Sequence, residues 1–115
     1  MSARETGRAV IIKTTTIANG QTASSEVDLE GFVLVGFETP AALTGTAMTF
    51  TVASAAAGTH KALKTSGGSA LSFTVAASGY YSVDPVNFWG VRILKLVSGS
   101  AEGAERTLTL HLMPR

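Results

Sequence analysis

Cysteine is missing altogether from the 115 residues, which excludes a disulfide framework and thiolate chemistry and leaves folding to packing. Charge is scarce as well: charged residues make up 15% of the chain, against roughly 25% in a typical soluble protein. The cations, from Arg4 and Arg8 through Lys61, Lys64, Arg92 and Lys95 to Arg106, are scattered and form no basic stripe. Phosphate neutralisation needs clustered cations, so no nucleic-acid partner is expected. Long apolar runs are absent too. Arg4, Glu5 and Arg8 precede only the short run Ala9-Val10-Ile11-Ile12, so neither a signal peptide nor a membrane partner is expected.

Catalytic patterns are equally thin. The two histidines, His60 and His111, have no neighbour at metal-ligand spacing, and no Gly-x-Ser-x-Gly elbow is present. Asp28, Glu30, Glu38 and Asp84 stand near turns, but sequence fixes no separation between them, and Asp84 before Pro85 reads as a turn cap. No metal, cofactor or catalytic set is therefore expected, and the chain reads as a non-enzyme.

What is present is a period of two. Ala47-Met48-Thr49-Phe50-Thr51-Val52-Ala53-Ser54 returns almost unchanged as Ala70-Leu71-Ser72-Phe73-Thr74-Val75-Ala76-Ala77. On a pleated strand Met48, Phe50 and Val52 share one face, as do Leu71, Phe73 and Val75, while Thr49, Thr51, Ser72 and Thr74 occupy the other. That second face is polar but uncharged. A solvated sheet usually carries Lys or Glu, which also discourages pairing with other molecules, so the pattern points to faces covered by neighbouring subunits.

The remaining segments read as further strands between turns. Residues 9–17 form a first strand rich in β-branched side chains, ended by Asn19-Gly20. Residues 25–29 form a short second, ended by Glu30-Gly31. Phe32-Val33-Leu34-Val35-Gly36-Phe37 is apolar on both faces, which fits the middle of a sandwich or a subunit contact. A short strand at residues 60–64, another at 80–83 and an irregular or 3₁₀ turn at 86–90 follow. Residues 91–97 and 106–113 are expected to form a hairpin around a Gly/Ser/Ala loop, with Leu108, Leu110 and Leu112 on one face of the last strand and Thr107, Thr109 and His111 on the other. About eight strands at this spacing predict a single-domain, all-β, jelly-roll-like sandwich over residues 9–115, preceded by a flexible arm at 1–8. The predicted core is Val10, Ile12, Leu34, Phe50, Val52, Phe73, Val75, Ile93, Leu108 and Leu110. Tyr80, Tyr81, Phe88 and Trp89 form an aromatic cluster that serves either packing or ligand stacking.

The string from Val27-Asp28-Leu29-Glu30-Gly31-Phe32 through Thr39-Pro40 to Thr49-Phe50 resembles a family of small structural proteins of tailed bacteriophages. So do Asp84-Pro85-Val86-Asn87-Phe88-Trp89-Gly90-Val91-Arg92-Ile93, the stretch Arg106-Thr107-Leu108-Thr109-Leu110 and Thr16-Ile17-Ala18-Asn19-Gly20. The resemblance covers most of the chain and implies a virion component made in the host cytoplasm, above all a capsid decoration (cement) protein on the capsid surface or the base of a head fibre. Its implied partners are the major capsid protein, copies of itself as a homo-oligomer, and other head or fibre proteins. A glycan- or receptor-binding module, or a fibre or tail adaptor, is the alternative. Arg4, Arg8, Thr49, Thr51, Tyr81, Trp89 and Thr109 are the candidate contact residues.

Overall fold

A computed structural model describes residues 10–114; the arm at 1–8, with Arg4 and Arg8, lies outside them. Alternating sequence produces nine strands: β1 (Ile11–Ile17), β2 (Val27–Asp28), β3 (Phe32–Glu38), β4 (Ala47–Ala53), β5 (Lys61–Ala62), β6 (Ser72–Thr74), β7 (Tyr80–Ser82), β8 (Ile93–Ser98) and β9 (Arg106–Pro114). Among the described residues one 3₁₀ turn, Pro85–Phe88, starts where the Asp84 carboxylate accepts from the Val86 N–H at 3.1 Å. All strands pair antiparallel, in one sheet ordered β1-β9-β3-β7 and a second ordered β2-β8-β4-β5, with β6 also paired to β4.

β5 and β6 occupy the same edge of β4, opposite β8. Ala62 faces Thr51 and Ser72 faces Thr49, while the residues between them loop out and are closed by a bridge from Lys64 to Ala70. The pair is one edge strand with an excursion in it, which leaves eight strand positions. Every connection except that from β4 to β5 and β6 crosses between the sheets, and this connectivity is the jelly roll anticipated from the strand spacing. The two similar octapeptides turn out to be neighbours, since Met48 sits opposite Phe73.

Residues 91–97 and 106–113 do not form a hairpin. β8 pairs with β2 and β4, whereas β9 pairs with β1 and β3 in the other sheet. Alternation marks each segment as a strand but carries no information about its partner, and the small-residue loop spans the sandwich end instead of turning back on itself.

The core lies between the sheets. Phe37, Phe50 and Phe88 are fully buried with Leu34, Met48, Leu94, Leu96, Leu108, Leu110 and Leu112. The Phe50 ring meets Phe37, Phe73 and Phe88 edge-on, with centroids 5.9, 5.8 and 5.2 Å away, a geometry favoured by ring quadrupoles. Of the predicted core, Leu34, Phe50, Val75, Ile93, Leu108 and Leu110 are buried, and Val52 and Phe73 pack partly buried against it. Val10 and Ile12 do not belong there: they are 51% and 55% exposed. Leu108, Leu110 and Leu112 face inward, and the register sets Thr15, Lys13 and Ile11 opposite them, so the even-numbered residues of β1 point outward.

β3 is apolar on both faces because it is an interior strand with a bulge. Leu34 pairs with Leu112 but Gly36 with His111, a one-residue shift at Val35 that turns both Leu34 and Phe37 toward the core.

Candidate functional site

The outer face of the four-stranded sheet has the strongest claim to a function. The ladders set Ile12 beside His111 and His111 beside Gly36 in one row, and Thr14 beside Thr109 and Thr109 beside Glu38 in the next, with Tyr80 opposite Glu38. Thr16 and Thr107 extend it. Tyr80 does not stand upright. A Cβ at Gly36 would lie 2.6 Å from the Tyr80 hydroxyl oxygen, so the ring lies across the glycine and reaches His111, centroid to centroid 4.9 Å. The absent side chain at Gly36 is what permits this approach.

The result is a band of Ile12, His111 and Tyr80 across all four strands, flanked by threonines. Glu38 is the carboxylate in these rows, and one of its oxygens is 2.6 Å from His111 Nε2. Ile12 and Tyr80 are each 55% exposed. Apolar area and hydroxyls thus face solvent with little unpaired charge, a composition suited to burial under another protein surface. Edge strand β1 has the same character at its exposed residues Ile12 and Thr14.

The outer face of the second sheet is different. Glu26, Asp28 and Lys95 bring charge to it, and residues 54–58 fold toward it. Glu26 accepts from the Ala57 N–H at 2.8 and 3.1 Å and lies 2.6 Å from His60 Nε2, while His60 Nδ1 is 3.2 Å from the Thr51 hydroxyl. The Ala57 N–H, followed by His60, holds the Glu26 carboxyl below its usual range. This Thr-His-Glu chain is a pin: its carboxylate is already committed to the loop backbone, and it fixes the turn between β4 and β5. Asp28 is lowered chiefly by the Arg92 guanidinium, which donates to it at 3.1 and 3.2 Å.

The candidate contact residues therefore separate. Thr109 lies on the four-stranded outer face, and Thr49 and Thr51 lie on the other sheet. Tyr81 packs inward, stacked on Phe37 at 5.3 Å with its hydroxyl accepting from the Ala76 N–H at 2.7 Å. Trp89 is 54% exposed at the end of the 3₁₀ turn, next to the fully buried Phe88. The aromatic cluster is thus split, with Phe88 and Tyr81 in the packing and Tyr80 and Trp89 outside it. Neither histidine belongs to a group of three potential metal ligands among the described residues.

Glu102 escapes sequence reading. It sits in the loop between β8 and β9, 1% exposed, and accepts from the Thr44 N–H at 2.8 Å, the Gly45 N–H at 3.0 Å, the Ser98 hydroxyl at 2.7 Å and Arg106 Nε at 2.9 Å. Its own backbone N–H and C=O bond to Gln21 and Gly20. One residue therefore ties three inter-sheet crossings together at one end of the sandwich. Burial alone would raise its pKa, but the Thr44 N–H, Ser98, Arg106 and the Gly45 N–H outweigh that and hold it at about 2. The available signal was a carboxylate four residues before an arginine, in a loop whose other residues are small apart from Glu105. Comparison with protein-family models, with curated proteins and with solved structures gave no match, so the functional reading rests on the residues and the geometry.

Proposed function

We propose that this chain is a non-enzymatic structural protein of a bacteriophage virion, a capsid decoration protein that binds and stabilises the head shell. The observation that carries the reading is the outer face of the four-stranded sheet, where Ile12, Tyr80, Thr14, Thr107 and Thr109 present a surface nearly free of unpaired charge. The resemblance of the sequence to phage structural proteins supplies the class of partner: the major capsid protein and further copies of this chain. A jelly roll suits the role, because its two sheets form a stiff body and the fold recurs in viral capsid domains, an analogy at the level of fold alone. Decoration needs only modest affinity per contact, since repetition over a symmetric shell adds avidity.

Co-sedimentation with undecorated phage heads tests the reading. Saturable binding to the matching heads, with a higher temperature of head disruption, is expected. Binding no stronger than to unrelated particles would remove it.

A further inference from the structure

A cleft of about 420 Å³ opens at one end of the sandwich, away from the rows of the four-stranded face. Three segments line it: Val52, Ala53 and Ser54 where β4 ends, Thr59 and Lys61 where β5 begins, and Gly90, Val91 and Arg92 after the 3₁₀ turn. Two of these side chains are cationic and none is acidic. Among the described residues the Lys61 ammonium has no hydrogen-bond or ion-pair partner, and neither do the Ser54 and Thr59 hydroxyls. Arg92 meets Asp28 through Nε and Nη2, which leaves other guanidinium N–H groups uncommitted out of its five. Val52 and Ala53 add an aliphatic wall.

We propose that this cleft binds a small oxyanion, either free or carried on a sugar acid. A carboxylate, sulfate or phosphate group accepts from Lys61 and Arg92, the Ser54 and Thr59 hydroxyls meet the ligand's own hydroxyls, and the aliphatic wall receives its C–H surface. The oxyanion comes either from a free inorganic ion or from a sugar acid, and the cleft has room for a sugar ring. The proposal is independent of shell binding, since it uses neither Ile12, Tyr80 nor the threonine rows.

Amide chemical-shift titration of the whole chain with glucuronate, inorganic phosphate and uncharged glucose tests it. Glucuronate is expected to give saturable shifts confined to residues 52–54, 59–61 and 90–92, with dissociation in the millimolar range, on the order of 4 kcal/mol of binding. Tighter binding of glucuronate than phosphate assigns the sugar acid; equal or tighter binding of phosphate assigns the free ion. Lys61→Ala should weaken binding roughly fivefold or more. Gly90→Leu should block it without unfolding the protein, because a Cβ there meets nothing within 4 Å. Three results overturn the proposal: no shifts with either anion up to about 50 mM, where a millimolar site would be filled, equal shifts with glucose, or shifts unchanged in both variants.

Discussion

The Glu102 carboxylate accepts from the Gly45 N–H at 3.0 Å although the two residues are 57 positions apart, and a Cβ on Gly45 would collide with the Ser98 hydroxyl that donates to the same carboxylate. Loop 44–45 can approach the β8–β9 crossing only because Gly45 has no side chain. The carboxylate then satisfies donors that the approach buries.

Acid titration follows from this. The folded Glu102 has a pKa of about 2 against 4.5 for the ordinary carboxyl, so its folded pKa is depressed. Its stabilisation is fully present above pH 4.5 and is lost as pH falls toward 2. The ceiling on that contribution is about 3 kcal/mol. Urea unfolding from pH 7 down to pH 2 should show this acid limb in the wild type and a flatter one in Glu102→Gln. At pH 7 Glu102→Ala should be destabilised by about 2 to 4 kcal/mol, since it leaves the buried Gly45 N–H, the part-buried Thr44 N–H and Arg106 without their acceptor.

Gly36 and Tyr80 should be coupled. Gly36→Ala forces the Tyr80 ring off the strand and should destabilise the protein by about 1 to 2 kcal/mol. In a Tyr80→Ala background the same substitution should be close to neutral. A double-mutant cycle by thermal or urea unfolding measures the difference, expected at about 1 kcal/mol.

Phe50→Ala should cost about 3 to 5 kcal/mol, because the ring is buried among Phe37, Phe73 and Phe88. Ile12→Ala should change stability by no more than about 0.5 kcal/mol. Both residues look alike in sequence, as apolar members of strands, and urea midpoints separate them.

That contrast marks how far the sequence was legible. Alternation found most of the strands, the inward phase of β4 and β9 and the jelly-roll spacing, and Asp84 before Pro85 marked the cap. In β1 it failed on phase, because Val10, Ile11 and Ile12 are all apolar and only the partner register with Leu108, Leu110 and Leu112 selects the inward set. It failed on partnership at β8 and β9, where two good strands flanking a flexible loop belong to opposite sheets. The candidate site was half legible. The uncharged Thr107, Thr109 and His111 face was visible in one strand, but Ile12 and Tyr80 join it only through long-range pairing. The Glu102 clamp was hidden, since its partners at Thr44 and Gly45 come from a distant loop and act through backbone N–H groups that carry no residue identity.

Head binding through the four-stranded face is tested most directly by placing a charge on each outer face in turn and measuring occupancy of undecorated heads by co-sedimentation. Thr14→Lys and Thr109→Glu alter the four-stranded face, Thr49→Lys alters the other sheet, and circular dichroism verifies that each variant is folded. Thr14→Lys and Thr109→Glu should each reduce head binding by about tenfold or more, the effect of desolvating an unpaired charge, while Thr49→Lys should bind as the wild type does. Undiminished binding by Thr14→Lys and Thr109→Glu, with or without loss in Thr49→Lys, would contradict binding through the four-stranded face.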